Sequence, residues 1–468
     1  MLEKAPRVCL IVDNPLRDLE GLVLLAWQLA CAGARSWLVP MYDQGFDVPA
    51  LKPDLVLVNY TRANNSDLIK TYKNAGILVG VLDTEGIAGK SSEHFAEMVA
   101  SANCGRLVDL YCVWGESQYR AFIQKGTVPQ NRLHVTGCPR YYYCAAPWRS
   151  ALPVPGVRPG YVLINTNFPT VNPRFSSGPK HEIASMVKAG FSETFALQFI
   201  HDAGEAHRTL TAVAIQLAKL FPSVRFVLRP HPFERIAAYD ELARLPNVEV
   251  RQEGTSLEWI ASSRLLLHQN CSTAVEAAML GVEAIALEWF NTPALRLDAA
   301  TGVSRIANGE DDLIRMLGEA LENRLPPAPF QVLEFRKKVF RELYFAIDGA
   351  ATKRIADAIL HTIRSASLSA AAIVASESPS IRGRFAHLTR TTLGYRTSGM
   401  VRRIYANRSI ERRRIGKAFP IELVEDILNR IQAVASADRR WIARPATETY
   451  GRASRMLGGS SVELVEAS

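Results

Sequence analysis

Two carboxylates and a glycine follow a short apolar run, in the segment Asp83-Thr84-Glu85-Gly86. If residues 77–82 form a parallel strand, these carboxylates lie at its carboxyl end, where such sheets carry their reactive groups. A carboxylate there suits a general base or a nucleophile. The same residues also suit an ordinary strand-to-helix turn in which Asp83 caps the next helix.

The two carboxylates differ in their expected surroundings. Asp83 directly follows the strand, where bonds to local backbone N–H groups would keep its pKa low and make it a poor base. Glu85 stands next to Gly86, whose missing side chain lets a substrate approach closely. We therefore expect Glu85 to be the reactive group and Asp83 to support it.

A histidine between two prolines forms a second candidate, in Arg229-Pro230-His231-Pro232. The prolines fix the backbone of His231 just past the predicted strand 225–229. A titratable imidazole is thereby held at a strand end. The His-Pro dipeptide alone indicates little, and the prediction depends on its position just past the end of a strand.

Hydroxyl groups mark a third position, where the predicted strand 265–269 runs into a helix. Ser272 and Thr273 stand at the helix start, Asn270 precedes them, and Glu276 lies in the first turn. Free backbone N–H groups, hydroxyls and the helix dipole would together bind an anion, and Glu276 could reach ribose hydroxyls. The alternative is an ordinary Ser N-cap.

A polar turn follows the predicted strand 161–165 and contains Asn165 and Asn167. It could orient a nucleotide, or it could be turn chemistry alone. His268 lies inside a predicted strand, where we expect a structural role.

The elements that position these residues predict an α/β protein. Short apolar runs alternate with helical patterns up to a Pro-rich break at 146–159, and the alternation then restarts. Buried strands with helices between them indicate parallel, doubly wound sheets. We expect Rossmann-like domains at 1–147 and 160–365 with a ligand crevice between them, and a basic, mostly helical tail at 366–468.

The composition is that of an ordinary globular protein, with 468 residues, 48% hydrophobic residues and a net charge of +9. No apolar run approaches the roughly 20 residues of a membrane span, and the N-terminus does not resemble a signal peptide. We expect a cytoplasmic protein. The seven cysteines form no CxxC pair, which favours reduced, buried thiols.

The positive charge is concentrated near the C-terminus. Residues 364–468 hold 18 Lys and Arg against nine Asp and Glu, a net +9 that equals the charge of the whole chain. Such a patch can bind the anionic surface of the inner membrane, or it can belong to a solvated helix. No nucleic-acid-binding motif accompanies it, so we expect no nucleic-acid partner. The densest cluster consists of Arg402, Arg403, Arg408, Arg412, Arg413 and Arg414.

Several signatures are absent from the sequence. It has no GxxxxGK[ST] phosphate loop, no GxGxxG, no DxD pair and no zinc-like His and Cys spacing. ATPase and dinucleotide-binding functions therefore lack their signatures. We expect neither a metal site nor a cofactor.

Taken together, the motifs resemble those of GT-B glycosyltransferases that use a CMP-activated acidic sugar, namely bacterial sialyltransferases and Kdo transferases. The chain also resembles, over nearly its whole length, proteins of surface carbohydrate biosynthesis. The matching segments are Asp18-Leu19-Glu20-Gly21, Asp83 to Gly86, Val113-Trp114-Gly115-Glu116, Asn165 to Phe168, Arg229 to Pro232, and Lys417-Ala418-Phe419-Pro420.

This resemblance implies a role for each matched residue. His231, Ser272 and Thr273 would hold the donor phosphate, and Asn270 and Glu276 would lie near the ribose. An acidic residue of the segment that ends in Gly86 would act on the acceptor hydroxyl or on the anomeric carbon. The remaining nucleotide-sugar residues would be Asn165, Asn167 and Arg229, and those on the acceptor side would be Arg17 and Asp18.

The resemblance thus predicts a metal-independent glycosyltransferase that transfers Kdo or a related ulosonic acid from a CMP-activated donor. The acceptor would be a glycan or a lipid-linked glycan of capsule or lipopolysaccharide assembly, and the enzyme would lie peripherally on the inner membrane. Three alternatives stay open. They are a polyol-phosphate transferase that uses a CDP-alcohol, a two-domain NDP-sugar epimerase, and a non-catalytic GT-B-like scaffold.

Overall fold

The computed structural model describes most of the chain and divides it into two compact units. The described residues are 5–84, 91–176, 178–188, 190–368, 379–385, 388, 416–436, 439–446 and 461–467. Unit 1 comprises Met1–Ala151 and Phe340–Ser468, and unit 2 comprises Leu152–Val339. Each unit is built around a parallel sheet with helices between its strands, which confirms the predicted pair of Rossmann-like α/β domains.

Unit 1 contains a sheet of eight described strands in the order β13-β14-β2-β1-β3-β4-β5-β6. Strands β1 to β6 are parallel, and β13 and β14 are antiparallel to their neighbours. The strands are β1 (Arg7–Val12), β2 (Arg35–Pro40), β3 (Leu55–Val58), β4 (Leu78–Leu82), β5 (Leu110–Val113), β6 (Leu133–Val135), β13 (Trp441–Pro445) and β14 (Val462–Glu466).

The helices of unit 1 cover this sheet with apolar faces. The first of them, α1, begins after Asn14, whose side chain accepts a hydrogen bond from the Leu16 N–H and so caps the helix. The helices are α1 (Pro15–Cys31), α2 (Gln44–Leu51), α3 (Ser66–Asn74), α4 (Ser92–Ser101), α5 (Glu116–Lys125), α14 (Ala351–Leu368) and α15 (Ile421–Ala435).

Unit 2 contains a parallel sheet of six described strands in the order β12-β11-β10-β7-β8-β9. The strands are β7 (Tyr161–Asn165), β8 (Phe226–Arg229), β9 (Val248–Val250), β10 (Ser263–His268), β11 (Ala284–Leu287) and β12 (Arg305–Ala307). The helices are α6 (Pro179–Lys188), α7 (Glu193–Leu220), α8 (Asp240–Ala243), α9 (Ser256–Ala261), α10 (Thr273–Met279), α11 (Asp298–Gly302), α12 (Glu310–Leu321) and α13 (Phe330–Val339).

The C-terminal part of the chain differs from the sequence analysis in two ways. Residues 340–365, which we placed in the second domain, belong to unit 1. The described part of the 366–468 segment also belongs to unit 1, and it contains β13 and β14 as well as α15. Strand β14 pairs with β2, the outermost of the parallel strands, and Glu463 forms an ion pair with Arg35 at 2.6 Å. These contacts join residues more than 400 positions apart, so no local pattern predicts them.

Two glycines from the matching segments allow close packing in unit 1. A Cβ atom on Gly21 of α1 would lie 2.8 Å from the Pro139 backbone. A Cβ on Gly115, just before α5, would lie 2.3 Å from the carbonyl oxygen of Glu342. The Ser117 hydroxyl donates to the same carbonyl at 2.7 Å. Gly115 therefore lets the returning chain at 342–343 pack against the start of α5.

Two simpler expectations can be compared directly with the structure. All seven cysteines are free thiols, and six of them are buried as expected, but Cys31 is exposed. Among the described residues, no helix has both the length and the apolar character needed to cross a bilayer.

Gly115→Ala should lower the free energy of unfolding by about 1–3 kcal/mol, because the added methyl group would overlap the Glu342 carbonyl. Gly318→Ala is the matched control, since its added Cβ would meet no atom within 4 Å in the middle of α12. Thermal unfolding of both variants checks this expectation. Equal melting temperatures for the two variants would contradict the packing argument.

Candidate functional site

The chain order of the strands marks one position in the sheet of unit 2. From β7 the chain continues to β8 and β9 on one side and then crosses to β10 on the other side. Strands β7 and β10 are neighbours, with Asn165 aligned to His268. Open α/β sheets bind their ligands beyond the strand ends at such a switch point. The candidate residues that follow β7, β8 and β10 therefore lie after strands that form this switch point or are next to it.

A buried carboxylate connects two of these loops. Glu234 is 0% exposed, and its Oε1 accepts hydrogen bonds from the Thr166 hydroxyl at 2.7 Å and from the Phe168 N–H at 2.9 Å. The same oxygen accepts from the His231 N–H at 3.1 Å, and Oε2 accepts from the Tyr239 hydroxyl. Glu234 thus holds the loop after β7 against the loop after β8.

His231 is half-buried, and its backbone is fixed on both sides. Its N–H bonds to Glu234, and its carbonyl oxygen accepts from the Gln252 amide at 2.7 Å. The ring Nδ1 accepts from the Phe233 N–H at 3.2 Å, so a neutral ring carries its proton on Nε2. Burial lowers the pKa of His231, which favours this neutral form. No described residue bonds to Nε2, which is therefore available as a hydrogen-bond donor.

Two asparagines connect the loop after β7 with the loop after β10. The Asn165 amide donates to the Thr273 hydroxyl at 2.8 Å, and the Asn167 amide donates to the Asn270 carbonyl at 2.9 Å. The side-chain oxygens of Asn165 and Asn270 are buried without a hydrogen-bond partner in the described part of the chain. These two oxygens are among 20 buried side-chain polar atoms of the described residues that have no hydrogen-bond partner, so they do not by themselves mark a ligand site.

The helix start after β10 is not an ordinary Ser N-cap. The Ser272 side chain makes no capping hydrogen bond, and the residue is exposed. Helix α10 has only seven residues. Glu276, which we placed near the ribose, is 4% exposed and accepts a hydrogen bond from the Ser256 hydroxyl. In this structure its carboxylate therefore also ties α10 to the start of α9.

Arg229 holds a neighbouring loop. Its Nη2 donates to the carbonyl oxygens of Glu253 at 2.9 Å and Gly254 at 3.1 Å, and its guanidinium lies 5.4 Å from the Trp259 ring centre. Burial lowers the pKa of Arg229. These contacts position the loop that leads into α9. They occupy a guanidinium that the sequence analysis assigned to the nucleotide.

A second group of polar residues lies at the strand ends of unit 1. Arg17 donates to Asp18 at 2.9 Å and to Asp13 at 3.1 Å. The Thr84 hydroxyl donates to Asp13 at 3.3 Å, and the Lys417 amine also donates to Asp13. Burial raises the pKa of Asp18, although the Arg17 charge opposes this shift. Lys417 of the C-terminal segment thus contacts the same carboxylate, Asp13, that accepts from Thr84.

Asp83 is 2% exposed and forms an ion pair with Arg62 at 2.8 Å. Asp18, Asp83 and Thr84 line one small cavity of about 30 Å³, which offers space for about one water molecule. The structure therefore brings the predicted acceptor-side residue Asp18 next to the predicted acidic segment. Glu85 and Gly86 lie outside the described residues.

Three residues that organise these groups, Asp13, Glu234 and Gln252, had no predicted role. No spacing rule identifies them, because each also bonds to a loop distant in sequence. A carboxylate three residues after His231 is the one local signal that points to Glu234.

Within the described segments, no group of three His, Cys, Asp or Glu side chains is arranged to bind a metal ion.

The comparison with solved structures identifies the fold. The chain is similar to a protein from Listeria monocytogenes assigned as a UDP-N-acetylglucosamine 2-epimerase, with 13% identity, a TM-score of 0.50, and coverage of 77% of this chain and 97% of the other. A further UDP-N-acetylglucosamine 2-epimerase also has 13% identity and a TM-score of 0.50, with 78% and 97% covered. The wall teichoic acid polymerase TagF has 12% identity and a TM-score of 0.44, with 77% and 89% covered.

These similarities show a GT-B-like fold of two Rossmann-like domains. No model of a protein family and no curated protein sequence matches the chain.

His268 allows a test of the structure around β10. It is fully buried, and its Nε2 lies 2.8 Å from the Ser304 hydroxyl. Burial lowers the pKa of His268 to about 4, below its ordinary value of about 6.5. Between these two values the unfolded chain binds a proton that the folded chain does not, so stability should fall as the pH falls from 6.5 towards 4.

His268→Gln should remove this contribution, which amounts to about 1.4 kcal/mol per pH unit. Urea unfolding of the wild type and the variant at several pH values measures the two slopes. His181→Gln, an exposed position on α6, is the control and should keep the wild-type slope. Identical slopes for wild type and His268→Gln would contradict the assignment.

Proposed function

We propose that this protein is a glycosyltransferase that transfers an acidic sugar from a CMP-activated donor to a surface glycan. The donor sugar would be Kdo or a related ulosonic acid, and the acceptor a glycan or a lipid-linked glycan. One observation carries the proposal. In unit 2, Glu234 fixes the backbone of His231 on the loop after β8, and the Phe233 N–H occupies the ring Nδ1, so that Nε2 stays available as a donor beside the switch point.

The phosphate of the donor would bind to His231 and Ser272. A neutral imidazole that carries its proton on Nε2 can donate a hydrogen bond to a phosphate oxygen. The exposed Ser272 hydroxyl is free of a capping bond and can donate in the same way. Both donors would stabilise the negative charge that develops on CMP as the glycosidic bond breaks.

Hydroxyl groups of the donor would bind to the asparagines. The side-chain oxygens of Asn165 and Asn270 have no donor in the described part of the chain, and a ligand group that reached them would have to donate a hydrogen bond, which phosphate oxygens do not do. A ribose or a sugar ring supplies such donors. The observed bond between Asn165 and Thr273 would keep the Thr273 hydroxyl in place beside the same ligand.

The acceptor would bind to unit 1. The buried ion pair with Arg62 keeps Asp83 engaged, which supports a structural role for Asp83 and leaves Glu85 as the reactive carboxylate. Glu85 would remove the proton of the acceptor hydroxyl or attack the anomeric carbon. Arg17 and Asp18 would contact the acceptor, as the resemblance implies.

The decisive experiment is a screen of CMP-, CDP-, UDP- and GDP-activated donors for nucleotide release by the purified protein. Release of nucleotide from a CMP-sugar, and from none of the other donors, supports the proposal. Release of CMP from a CDP-alcohol would instead identify a polyol-phosphate transferase. Conversion of a UDP-sugar without release of UDP would identify an epimerase, the activity named for the similar structures. No binding of any nucleotide would favour a non-catalytic scaffold.

His231→Ala should lower kcat by about 10²-fold, because it removes a hydrogen-bond donor to the developing phosphate charge. It should also reduce the rise in melting temperature that CMP causes in the wild type. His201→Ala, at an exposed position on α7, is the control and should retain both properties. Near-wild-type turnover of His231→Ala would show that the phosphate lies elsewhere.

Glu85→Gln should lower kcat by about 10²–10⁴-fold and leave CMP affinity unchanged, because a base or nucleophile acts mainly in the transition state. Asp83→Asn should lose about 1–3 kcal/mol of folding stability, since the buried end of Arg62 loses its charged acceptor. Activity assays, CMP titrations and thermal unfolding of both variants distinguish the two roles. A folded, inactive Asp83→Asn beside an active Glu85→Gln would reverse them.

The arginine cluster of the tail would bind the anionic membrane surface. It lies outside the described residues. Because each surface arginine contributes about 1 kcal/mol to such binding, reversing Arg412, Arg413 and Arg414 to Glu should weaken binding to anionic vesicles by at least roughly 100-fold. Vesicle sedimentation measures this loss. A triple reversal at the exposed residues Arg208, Arg315 and Arg324 is the control. Equal binding by both triple variants would rule out the contact.

A further inference from the structure

Two phenylalanines beside His231 expose their rings to solvent. Phe175 is 73% exposed and Phe233 is 57% exposed. Their ring centres lie 5.5 Å apart, with the rings almost perpendicular at 83°. An exposed apolar patch can mark a ligand-binding or interaction site.

The backbone that carries this pair is firmly held. The Arg174 N–H donates to the Phe233 carbonyl at 2.7 Å, and the Arg235 guanidinium donates to the Pro173 carbonyl at 2.7 Å. The Asn172 amide donates to the Arg235 carbonyl at 3.0 Å. The exposed rings therefore stand on two loops that are hydrogen-bonded to each other. A rigid aromatic surface binds a flat ligand at a lower entropic cost than a flexible one.

The pair continues directly into the proposed phosphate site. The Phe233 ring centre lies 5.4 Å from that of His231, and Phe175 extends the row by one further ring. The Arg174 guanidinium lies 5.3 Å from the Phe175 ring centre. A phosphate at His231 would thus lie a few ångströms from an exposed aromatic face. In a nucleotide, the ribose separates phosphate and base by a similar short span.

We propose that Phe175 and Phe233 form a platform for the nucleobase of the donor, which stacks on the exposed ring of Phe175 while the nearly perpendicular ring of Phe233 contacts its edge. This inference rests on the proposed function, because it requires a nucleotide phosphate at His231. Aromatic rings stack on the face of any nucleobase, so the platform contributes affinity without selecting cytosine over uracil. The continuity with His231 favours a nucleobase over a membrane or a protein partner.

The test compares a ligand that has a base with one that lacks it. Phe175→Ala should weaken CMP binding by about 5- to 100-fold and leave binding of ribose 5-phosphate unchanged. Phe175→Trp should restore CMP binding. His231→Ala should weaken the binding of both CMP and ribose 5-phosphate. Phe330→Ala is the matched control, since Phe330 is 72% exposed on α13. This variant should bind both ligands as the wild type does.

Isothermal titration calorimetry of these four variants and the wild type separates the possible results. Unchanged CMP binding by Phe175→Ala would overturn the platform while leaving the proposed function intact. Equal weakening of CMP and ribose 5-phosphate would also overturn it, because Phe175 would then support only the loop. If Phe175→Ala instead lost binding to anionic vesicles and kept CMP affinity, the pair would be a membrane contact. No binding of any nucleotide to the wild type would overturn the proposed function and this inference together.

Discussion

The candidate site of unit 2 depends on the buried carboxylate of Glu234. Its four hydrogen bonds reach Thr166 and Phe168 after β7, His231 after β8, and Tyr239. A buried carboxylate is costly unless donors surround it, so the two loops cannot separate without exposing an unsatisfied charge. This constraint fixes the backbone of His231, while the Phe233 N–H on Nδ1 leaves Nε2 available and separate hydrogen bonds of Arg174, Arg235 and Asn172 hold the loops of the aromatic pair.

Unit 1 shows a comparable dependence on a few charged side chains, here between its first helix and its C-terminal segment. Asp13 after β1 contacts Lys417, and Glu20 of α1 forms an ion pair with Arg430 of α15 at 2.9 Å. Burial raises the pKa of Glu20, and Arg430 opposes this shift. Because the Asp13 carboxylate also accepts from Thr84, the C-terminal segment supports the backbone that leads to Glu85. The segment is thus part of the domain fold as well as the source of its basic charge.

The segments that carry the family resemblance divide into two physical classes. Those around Asn165 and His231 end strands and present polar groups, as a binding role requires. Those that contain Gly21 and Gly115 allow backbones to approach where no side chain would fit. Only the first of these two classes bears on the proposed donor site.

Local patterns in the amino-acid sequence were enough to predict the two α/β domains and the strand ends that carry the candidate residues, because hydrophobic period is a property of a single strand or helix. They also singled out His231, whose flanking prolines fix its backbone. Three further features depend on the folded chain: Glu234 joins the His231 loop to the loop after β7, the 253–254 carbonyls accept from Arg229, and the chain after 340 returns to the first domain. Each of these depends on contacts between loops or strands distant in sequence. Such contacts form only after the sheets have brought those segments together.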